Sequence, residues 1–337
     1  MSSKPRFAII GCGKIAARHA REASKQGFLV SVCDIIPERA DQLAGEYSAT
    51  PYYNIQELLA GKDFDILAVC TPNGLHAEHT LTALQAGKHV LCEKPMAISS
   101  GDADKMIVAA EKAGKQLFVV KQNRFNPPVS YLKKLLEEKK LGAIFQFEMN
   151  CFWNRPPAYY KSTWKGTKKM DGGILFTQFS HFVDLLYWLL GDVASASGLR
   201  YNCTHKGIIE FEDGGIAMLQ MKNGASGTLN YTVSSHQKNM EGSLTVFGEK
   251  GTVKVGGQYL NELEYFSVEG ETLPSLSKGN PANQYGEYEG SMSNHDKVYA
   301  STIRSLEDPA LRYITPAEAQ KSIEIIEKIY AASPLLG

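Results

Sequence analysis

Two short segments of the sequence contain side chains suited to proton transfer. Lys94 lies in Glu93-Lys94-Pro95, directly after a short apolar run. His181 lies in a mostly apolar stretch, and the spacing of Thr177, His181 and Asp184 places them on one face of a helix. Imidazole titrates near neutral pH and burial lowers the pKa of an ammonium group, so both suit acid–base catalysis. We predict that Lys94 and His181 are catalytic. The alternatives are an ion pair between Lys94 and Glu93 and a core position for His181.

A glycine-rich turn near the start of the chain predicts a dinucleotide site. Gly11-x-Gly13-x-x-Ala16 follows an apolar run and leads into a helical pattern, the order that places a pyrophosphate on a helix N-terminus. Asp34 ends the next apolar run, where its carboxylate can accept hydrogen bonds from ribose hydroxyls and repel a 2′-phosphate. NAD is therefore the predicted cofactor, and Arg39 is the feature that argues for NADP. The alternative is an ordinary strand–turn–helix with a chance aspartate.

Two polar tripeptides each follow a predicted strand. Thr71-Pro72-Asn73 and Glu93-Lys94-Pro95 come directly after apolar runs, and in an open α/β sheet ligands bind beyond the carboxyl ends of the strands. Both tripeptides are therefore expected to face the nucleotide. The full set of predicted cofactor-binding residues is Gly11, Gly13, Lys14, Ile15, Asp34, Arg39, Thr71, Asn73, His76, Glu93, Lys94 and Gln122.

Composition narrows the possible partners. The 337-residue chain carries 36 basic and 36 acidic side chains, so neither nucleic acid nor an anionic membrane surface is expected to bind it. The start of the chain lacks the apolar core of a signal peptide, and no apolar stretch approaches the length of a membrane span. The six cysteines form no CxxC pair, and His76 and His79 have no further ligands nearby, so no metal is expected. We predict a cytoplasmic protein.

The patterning changes near residue 122 and predicts two domains. Residues 1–122 alternate short apolar runs with amphipathic stretches, which is typical of a Rossmann domain with a doubly wound parallel sheet. In residues 123–337, strands separated by glycine-containing turns indicate an α+β domain with a large, open, mostly antiparallel sheet. The strands predicted in this domain are 145–151, 207–212, 216–222, 225–234, 242–247 and 252–256, followed by helices over 294–306 and 316–332.

Taken in order, these motifs resemble the Gfo/Idh/MocA oxidoreductases. The motifs are GCGKIA, TPN followed by His76, EKP, and two glycines ahead of the His181-x-x-Asp184 helix; FGEKGT and TPAEAQKSIEIIEKIY extend the likeness over nearly the whole chain. The resemblance implies NAD-dependent oxidation of a secondary hydroxyl of a sugar, with a lysine and a histidine as catalytic residues. Many members carry an aspartate four residues before the histidine, where this chain has Thr177.

Residues 150–166 and the helix that follows resemble one branch of that family, the WlbA-type dehydrogenases that oxidise UDP-N-acetylglucosaminuronate at C3. The cationic and aromatic side chains of this stretch suit a substrate with phosphates and a carboxylate. The predicted substrate-binding residues are Arg155, Tyr160, Trp164, Lys165, Thr177 and Asp184. The alternative is an aromatic patch on the outer face of the sheet or at a subunit contact.

Other functions on the same fold stay open at this point. They are a free sugar or polyol dehydrogenase of the inositol type, a glycosidase that uses NAD transiently, and a regulator that binds nucleotide without turnover. The sequence does not indicate which of Lys94 and His181 accepts the proton. An exposed sheet face with apolar patches, together with the family resemblance, predicts a homodimer or homotetramer assembled through the C-terminal sheet.

Overall fold

The computed structural model describes residues 4–61, 63–161, 164–284, 286 and 288–336. The chain forms two compact units. The first contains the residues up to Lys121 together with His295–Ile323, and the second contains Gln122–Asn294 and Glu324–Gly337.

Within the described part of the first unit, six parallel strands form one sheet in the order β3-β2-β1-β4-β5-β6. The central residues of β1, β4, β5 and β6 are apolar and almost completely buried, which explains why these strands appear in the sequence as short apolar runs. The predicted doubly wound parallel sheet is therefore confirmed. Its strands are β1 (Arg6–Ile10), β2 (Phe28–Cys33), β3 (Thr50–Tyr52), β4 (Ile66–Val69), β5 (His89–Cys92) and β6 (Leu117–Val119).

The second unit is built on a mixed, mostly antiparallel sheet of eight described strands in the order β13-β12-β11-β7-β10-β9-β8-β16. Only the β7–β10 and β8–β16 pairs within this sheet are parallel. One face carries the core, with Met149, Leu219, Leu229 and Val246 all buried. The strands of this unit are β7 (Ile144–Phe152), β8 (Val193–Tyr201), β9 (Gly214–Met221), β10 (Ser226–Thr232), β11 (Glu241–Gly248), β12 (Gly251–Gly256), β13 (Glu262–Val268), β14 (Ala282–Gln284), β15 (Glu289–Met292) and β16 (Leu335–Leu336), of which β14 and β15 form a separate pair.

Local sequence signals explain where several helices begin and end. Ser99 caps α5 by accepting a hydrogen bond from the Asp102 N–H, and Gly114 ends that helix in the left-handed conformation. None of the helices in the described ranges is both long and apolar enough to cross a membrane. The helices are α1 (Ala16–Gln26), α2 (Pro37–Tyr47), α3 (Ile55–Ala60), α4 (His76–Gln85), α5 (Ser100–Ala113), α6 (Pro127–Glu137), α7 (Ile174–Thr177), α8 (Ser180–Leu190), α9 (His295–Glu307) and α10 (Pro316–Ala332).

The position of helix α9 differs from the predicted domain organisation. The sequence pattern predicts that it belongs to the C-terminal domain, residues 123–337, but residues 295–323 group with the first unit. An aromatic contact is one of the interactions that join α9 to this unit: the Tyr299 ring lies 5.1 Å from the Phe7 ring on β1, and both side chains are fully buried. Contacts between residues this far apart in sequence leave no local signal.

One prediction in the second unit is wrong, and one of its strands was not predicted. Residues 207–212 form turns instead of a strand, and β8 (Val193–Tyr201) has no counterpart among the predicted strands. The Asp213 carboxylate accepts hydrogen bonds from the N–H groups of Cys203 and Thr204, which curls the chain before residue 207. Strand β8 was missed because its residues are mostly small or polar and lack a clear alternation.

Candidate active site

The glycine-rich turn has the geometry that a pyrophosphate requires. Gly11 has φ +91°, and a Cβ atom there would lie 2.7 Å from the Cys70 main chain, so only glycine fits. A Cβ on Gly13 would meet no atom within 4 Å, which means that open space lies beside the turn. Lys14 is exposed and Ile15 half-buried, immediately before α1 begins at Ala16. This cradle at a helix N-terminus fits a dinucleotide.

Asp34 lies beside this turn, at the end of β2. Its Oδ2 accepts a hydrogen bond from the Cys12 N–H at 2.8 Å, and its Oδ1 accepts one from the Ile36 N–H at 2.9 Å. A carboxylate has about four acceptor positions, so both oxygens can still accept hydrogen bonds from ribose hydroxyls. Arg39 is exposed on α2. The main-chain contacts fix the carboxylate in the place that suits NAD.

His76 connects the two predicted cofactor loops. Its Nδ1 lies 2.7 Å from the Pro95 carbonyl oxygen, and its Nε2 lies 2.8 Å from the Thr71 carbonyl oxygen. Burial lowers the pKa of this imidazole, although both carbonyls oppose the shift. Both ring nitrogens therefore face main-chain carbonyl oxygens, and a neutral ring donates to one of the two. A contact of His76 with cofactor stays a prediction. Asn73 is buried at the start of a 3-10 turn next to the same loop.

Glu93 and Lys94 follow β5, and the Lys94–Pro95 peptide bond is cis. The Oε2 of Glu93 accepts a hydrogen bond from the Lys94 main-chain N–H at 2.9 Å. The other oxygen, Oε1, lies 3.0 Å from His19 Nε2 and 3.1 Å from His295 Nε2. Burial alone would raise the pKa of Glu93, but the two imidazoles hold it well below its usual range. Glu93 is therefore an ionised, buried anchor next to Lys94, whose own side chain is half-buried.

His181 lies on α8 and is almost fully buried. The amide nitrogen of Gln122 lies 3.3 Å from its Nε2. An amide can donate to a neutral ring through its nitrogen or accept from a charged ring through its oxygen, so Gln122 can stabilise both protonation states of His181. This contact lies within the second unit, and the predicted role of Gln122 in cofactor binding stays a prediction.

Thr177 does not continue the helix of His181, contrary to the sequence prediction. It ends the short helix α7, and α8 begins only at Ser180. The Thr177 hydroxyl donates to the carboxylate of Asp171, which is fully buried and also accepts a hydrogen bond from the Gly166 N–H at 2.8 Å. A carboxylate that sequence analysis overlooked therefore lies behind Thr177. Asp184 is on α8 as predicted, but both of its carboxylate oxygens accept hydrogen bonds from the buried Arg124.

The predicted substrate residues Arg155 and Lys165 come together on aromatic rings of the second unit. The buried Arg155 guanidinium lies 5.5 Å from the centre of the Tyr159 ring and 4.9 Å from that of Tyr288. Lys165 Nζ lies 3.6 Å from the centre of the Tyr159 ring and 5.6 Å from that of Tyr288. Rings that face cations in this way stabilise the positive charge. The sequence pointed to the Arg155–Lys165 stretch, but Tyr288 is too distant in the chain to have been found.

Tyr160 and Trp164 flank this cluster with different exposure. Tyr160 is buried, its ring packs edge-on against Tyr159 and His205, and burial raises its pKa well above the usual value. Trp164 is half-buried, with Lys165 Nζ 5.8 Å from its ring centre. Tyr160 therefore belongs to the packing behind the cluster, whereas Trp164 and Lys165 retain exposed surface that can meet a ligand.

A parallel α/β unit with a dinucleotide cradle and an acidic residue after β2 defines an NAD-binding oxidoreductase. Residues 5–121 match the oxidoreductase family with an NAD-binding Rossmann fold, GFO/IDH/MocA, and residues 129–254 match the GFO/IDH/MocA C-terminal domain. The chain belongs to this family, which confirms the predicted family, fold and cofactor.

Several known proteins similar to this chain are dehydrogenases. The WlbA dehydrogenase from Bordetella pertussis, solved with NADH and UDP-GlcNAcA, is 34% identical with a TM-score of 0.88 over 98% of this chain and 96% of that one. The WlbA dehydrogenase from Chromobacterium violaceum, solved with the same two ligands, is 35% identical with a TM-score of 0.89 over 98% and 94%. The 1-carboxy-3-chloro-3,4-dihydroxycyclo hexa-1,5-diene dehydrogenase of Comamonas testosteroni is 31% identical over 66% of this chain and 56% of its own length, so the match spans little more than half of that relative.

Proposed function

We propose that this protein is an NAD-dependent dehydrogenase that oxidises a secondary hydroxyl of a nucleotide-linked sugar acid, at C3 of a UDP-linked N-acetylated sugar. The observation that carries the proposal is the cluster of Arg155 and Lys165 on Tyr159 and Tyr288. Two cations in a partly desolvated aromatic setting suit an anionic substrate with phosphates and a carboxylate. The two WlbA dehydrogenases, which were solved with such a ligand, support the same substrate class.

Within this cluster the two cations have different tasks. Arg155 donates through Nη1 to the Asn154 carbonyl and is buried, so it fixes the local chain and contributes positive potential. Lys165 is half-buried, and its flexible ammonium is suited to meet a phosphate or carboxylate directly. We therefore assign direct substrate contact to Lys165 and Trp164, and support of that contact to Arg155.

The chemistry divides into the loss of a hydride from carbon and of a proton from oxygen. NAD, when bound, accepts the hydride. The chain must accept the hydroxyl proton, and we propose that His181 and Lys94 act together in this step, one accepting the proton and the other stabilising the charge that develops. His181 is buried, and the Gln122 amide beside it can stabilise the ring before and after protonation. A positively charged Lys94 would stabilise the alkoxide as the proton leaves.

A substrate panel tests the proposal directly. Reduction of NAD is followed with a UDP-linked N-acetylated sugar acid, the same sugar nucleotide without the carboxylate, the free sugar acid and myo-inositol. We expect the first to have the highest kcat/KM, by roughly tenfold or more for each missing anionic group, since an ion pair to a buried site contributes a few kcal/mol. Equal or better turnover of the free sugar or of inositol would contradict the proposed substrate. NADH binding without turnover of any compound would instead favour a regulator, and release of a free sugar without net NADH would favour a glycosidase.

Variants test the assigned residues. Lys94→Ala and His181→Asn should each lower kcat/KM by roughly a hundredfold or more while NADH binding changes little, and the double variant should lose much less than the product of the two effects. The exposed Lys112 and His236 provide matched controls, and Lys112→Ala and His236→Asn should behave as wild type. If His181→Asn unfolds the protein, His181 is a core residue instead of a catalyst.

We further propose that the protein assembles into a homodimer or homotetramer through the outer face of the second unit's sheet. Leu199 on β8 lies directly opposite Ile216 on β9, Met218 is two residues further along β9, and all three are exposed. An exposed apolar patch on a sheet face favours contact with an identical copy. The cytoplasmic location stays a prediction.

A further inference from the structure

A buried chain of four polar side chains ends at the main chain of Lys94. The Tyr299 hydroxyl lies 3.0 Å from His19 Nδ1, and His19 Nε2 lies 3.0 Å from Glu93 Oε1. His295 Nε2 lies 3.1 Å from the same oxygen, and Glu93 Oε2 accepts the Lys94 N–H. All four side chains are buried and all belong to the first unit. The network joins α1, α9 and the loop after β5.

The protonation pattern of this network follows from its partners. Glu93 is ionised, so it can only accept, and each imidazole must present an Nε2–H to it. His19 then accepts the Tyr299 hydroxyl at its Nδ1. Burial lowers the pKa of His19 in spite of the nearby carboxylate, consistent with a neutral ring. The Glu93 carboxylate is thus a buried anion that accepts three hydrogen bonds, from His19, His295 and the Lys94 N–H. A fourth hydrogen bond, from the Tyr299 hydroxyl, holds His19.

Donor atoms of His19, Glu93 and His295 all lie within 4.8 Å of one another, a spacing that also suits a metal ion. Two observations favour hydrogen bonds. The distances to Glu93 Oε1 are ordinary for N–H···O bonds. His295 Nδ1 has no hydrogen-bond partner among the described residues, whereas an imidazole bound to a metal normally donates its second N–H to a carboxylate or carbonyl.

We infer that Tyr299, His19, Glu93 and His295 form a positioning network that holds Lys94 in its productive place. Glu93 fixes the peptide at which Lys94 begins, and the two imidazoles, which both contact Oε1, fix the rotation of the Glu93 carboxylate. Loss of either imidazole frees the carboxylate to turn and shifts Lys94. A displacement of about 1 Å at a reacting group can lower the rate on the order of a hundredfold. The inference rests on the proposed catalytic role of Lys94.

Paired substitutions separate a positioning role from a purely structural one. Glutamine can place an amide N–H where histidine has Nε2–H, whereas leucine fills the space without a donor. His295→Leu and His19→Leu should lower kcat roughly 10- to 100-fold, with KM and the Kd for NADH within about threefold of wild type. His295→Gln and His19→Gln should recover most of the loss. His236→Leu at an exposed site is the control.

The outcomes distinguish this inference from the proposed function. If Lys94→Ala keeps full activity, the catalytic role and the network both fail. If Lys94→Ala is inactive while His295→Leu keeps its kcat, or loses NADH binding in parallel with kcat, only the network is wrong. A stoichiometric transition metal in purified wild type that is lost from His295→Gln would also overturn it. If the leucine variants do not fold, Tyr299→Phe decides: a several-fold lower kcat with unchanged NADH binding supports the network, and an unchanged kcat overturns it.

Discussion

Arg124 and Asp184 form a two-point ion pair inside the second unit, with Nε 2.8 Å from Oδ2 and Nη2 2.8 Å from Oδ1. Both side chains are almost completely excluded from solvent. Arg124 lies in the 3-10 turn that begins at Gln122, and Asp184 lies on α8, three residues beyond His181. The pair therefore joins this turn to α8. The side chain that the sequence analysis assigned to substrate thus fixes the helix that carries the proposed base.

Removing one partner of this pair should be strongly destabilising. Arg124→Met leaves a buried carboxylate without its cation, and we expect a loss of about 3–5 kcal/mol in the free energy of unfolding, measured by urea titration. Arg124→Met combined with Asp184→Leu should lose less than Arg124→Met alone, because no uncompensated charge is left. The exposed pair of Lys134 and Glu138 is the control, and Lys134→Met should have almost no effect. A small effect of Arg124→Met would show that the pair is not needed to hold α8.

The contact between Thr177 and Asp171 allows us to predict the effect of Thr177→Asp, which introduces the aspartate that many family members have. Thr177→Asp would place a second carboxylate in direct contact with the fully buried Asp171. Two carboxyl groups in contact cannot both ionise without a large cost in free energy. We expect Thr177→Asp to lower the melting temperature at pH 8 more than Thr177→Val does. Adding Asp171→Asn to Thr177→Asp should restore about 1 kcal/mol or more. Additive effects of the two substitutions would argue against direct contact.

Asp34 should determine cofactor choice. Asp34→Ala removes the carboxylate that would repel a 2′-phosphate, so binding of NADPH relative to NADH should rise by roughly ten- to a few hundredfold in fluorescence titrations. Asp34→Asn removes the negative charge but keeps one oxygen that can accept a hydrogen bond from the Cys12 or Ile36 N–H. Comparing it with Asp34→Ala separates the effect of the charge from the effect of losing these contacts. Glu46→Ala, an exposed site on the same α2, should leave the ratio unchanged. A wild type that prefers NADPH, or an unchanged ratio in Asp34→Ala, would contradict the assignment.

Stability should fall as the pH is lowered. Burial lowers the pKa of His19 and His76 from the usual 6.5, so below about that pH the unfolded chain binds protons that the folded chain does not. Each such histidine removes about 1.4 kcal/mol per pH unit until its folded-state pKa is reached. The pKa values of His79 and His89 are lowered as well. Because the pKa of Glu93 is also lowered, from its usual 4.5, stability should fall further below about pH 4.5.

Thermal melts between pH 7.5 and 5.5 measure this slope. The midpoint should change little down to about pH 6.5 and then decrease in wild type, less steeply in His19→Gln, which has no group to protonate at position 19. His236→Gln, at an exposed position, should retain the wild-type slope. A wild-type midpoint that rises on acidification would mean that these rings are charged in the folded protein.

The first unit's fold was predictable because its inner strands β1, β4 and β5 are buried on both faces. The runs that became β1, β2, β4 and β5 are continuous and apolar, and each is followed by polar or glycine residues that mark the carboxyl end of a strand. The second unit was less predictable. Its strands are covered on one face only, so those with small or polar residues, such as β8, resemble loops.

The candidate site was predictable where chemistry follows directly along the chain, as at Gly11, Asp34 and Glu93-Lys94-Pro95. The partners that hydrogen-bond to the residues of the candidate site were not predictable. His295 reaches Glu93 across 202 positions, and Arg124 reaches Asp184 across 60. Such pairings depend on how the elements pack, and a single sequence carries no record of them. The buried Asp171 was overlooked because an aspartate before two glycines looks like an ordinary turn.

The outer face of the second unit's sheet should be an interface between copies of this chain. Met218, the most exposed of Leu199, Ile216 and Met218, has 59% of its surface accessible. Met218→Lys would place a charge in an otherwise apolar contact, whose desolvation costs several kcal/mol, so the oligomer should dissociate while NADH binding per chain is retained. Leu311→Lys, which also replaces an exposed leucine but lies in the first unit, should keep the wild-type mass. Light scattering at micromolar concentration measures both, and a monomeric wild type, or a Met218→Lys variant of unchanged mass, would show that this face is not where the copies meet.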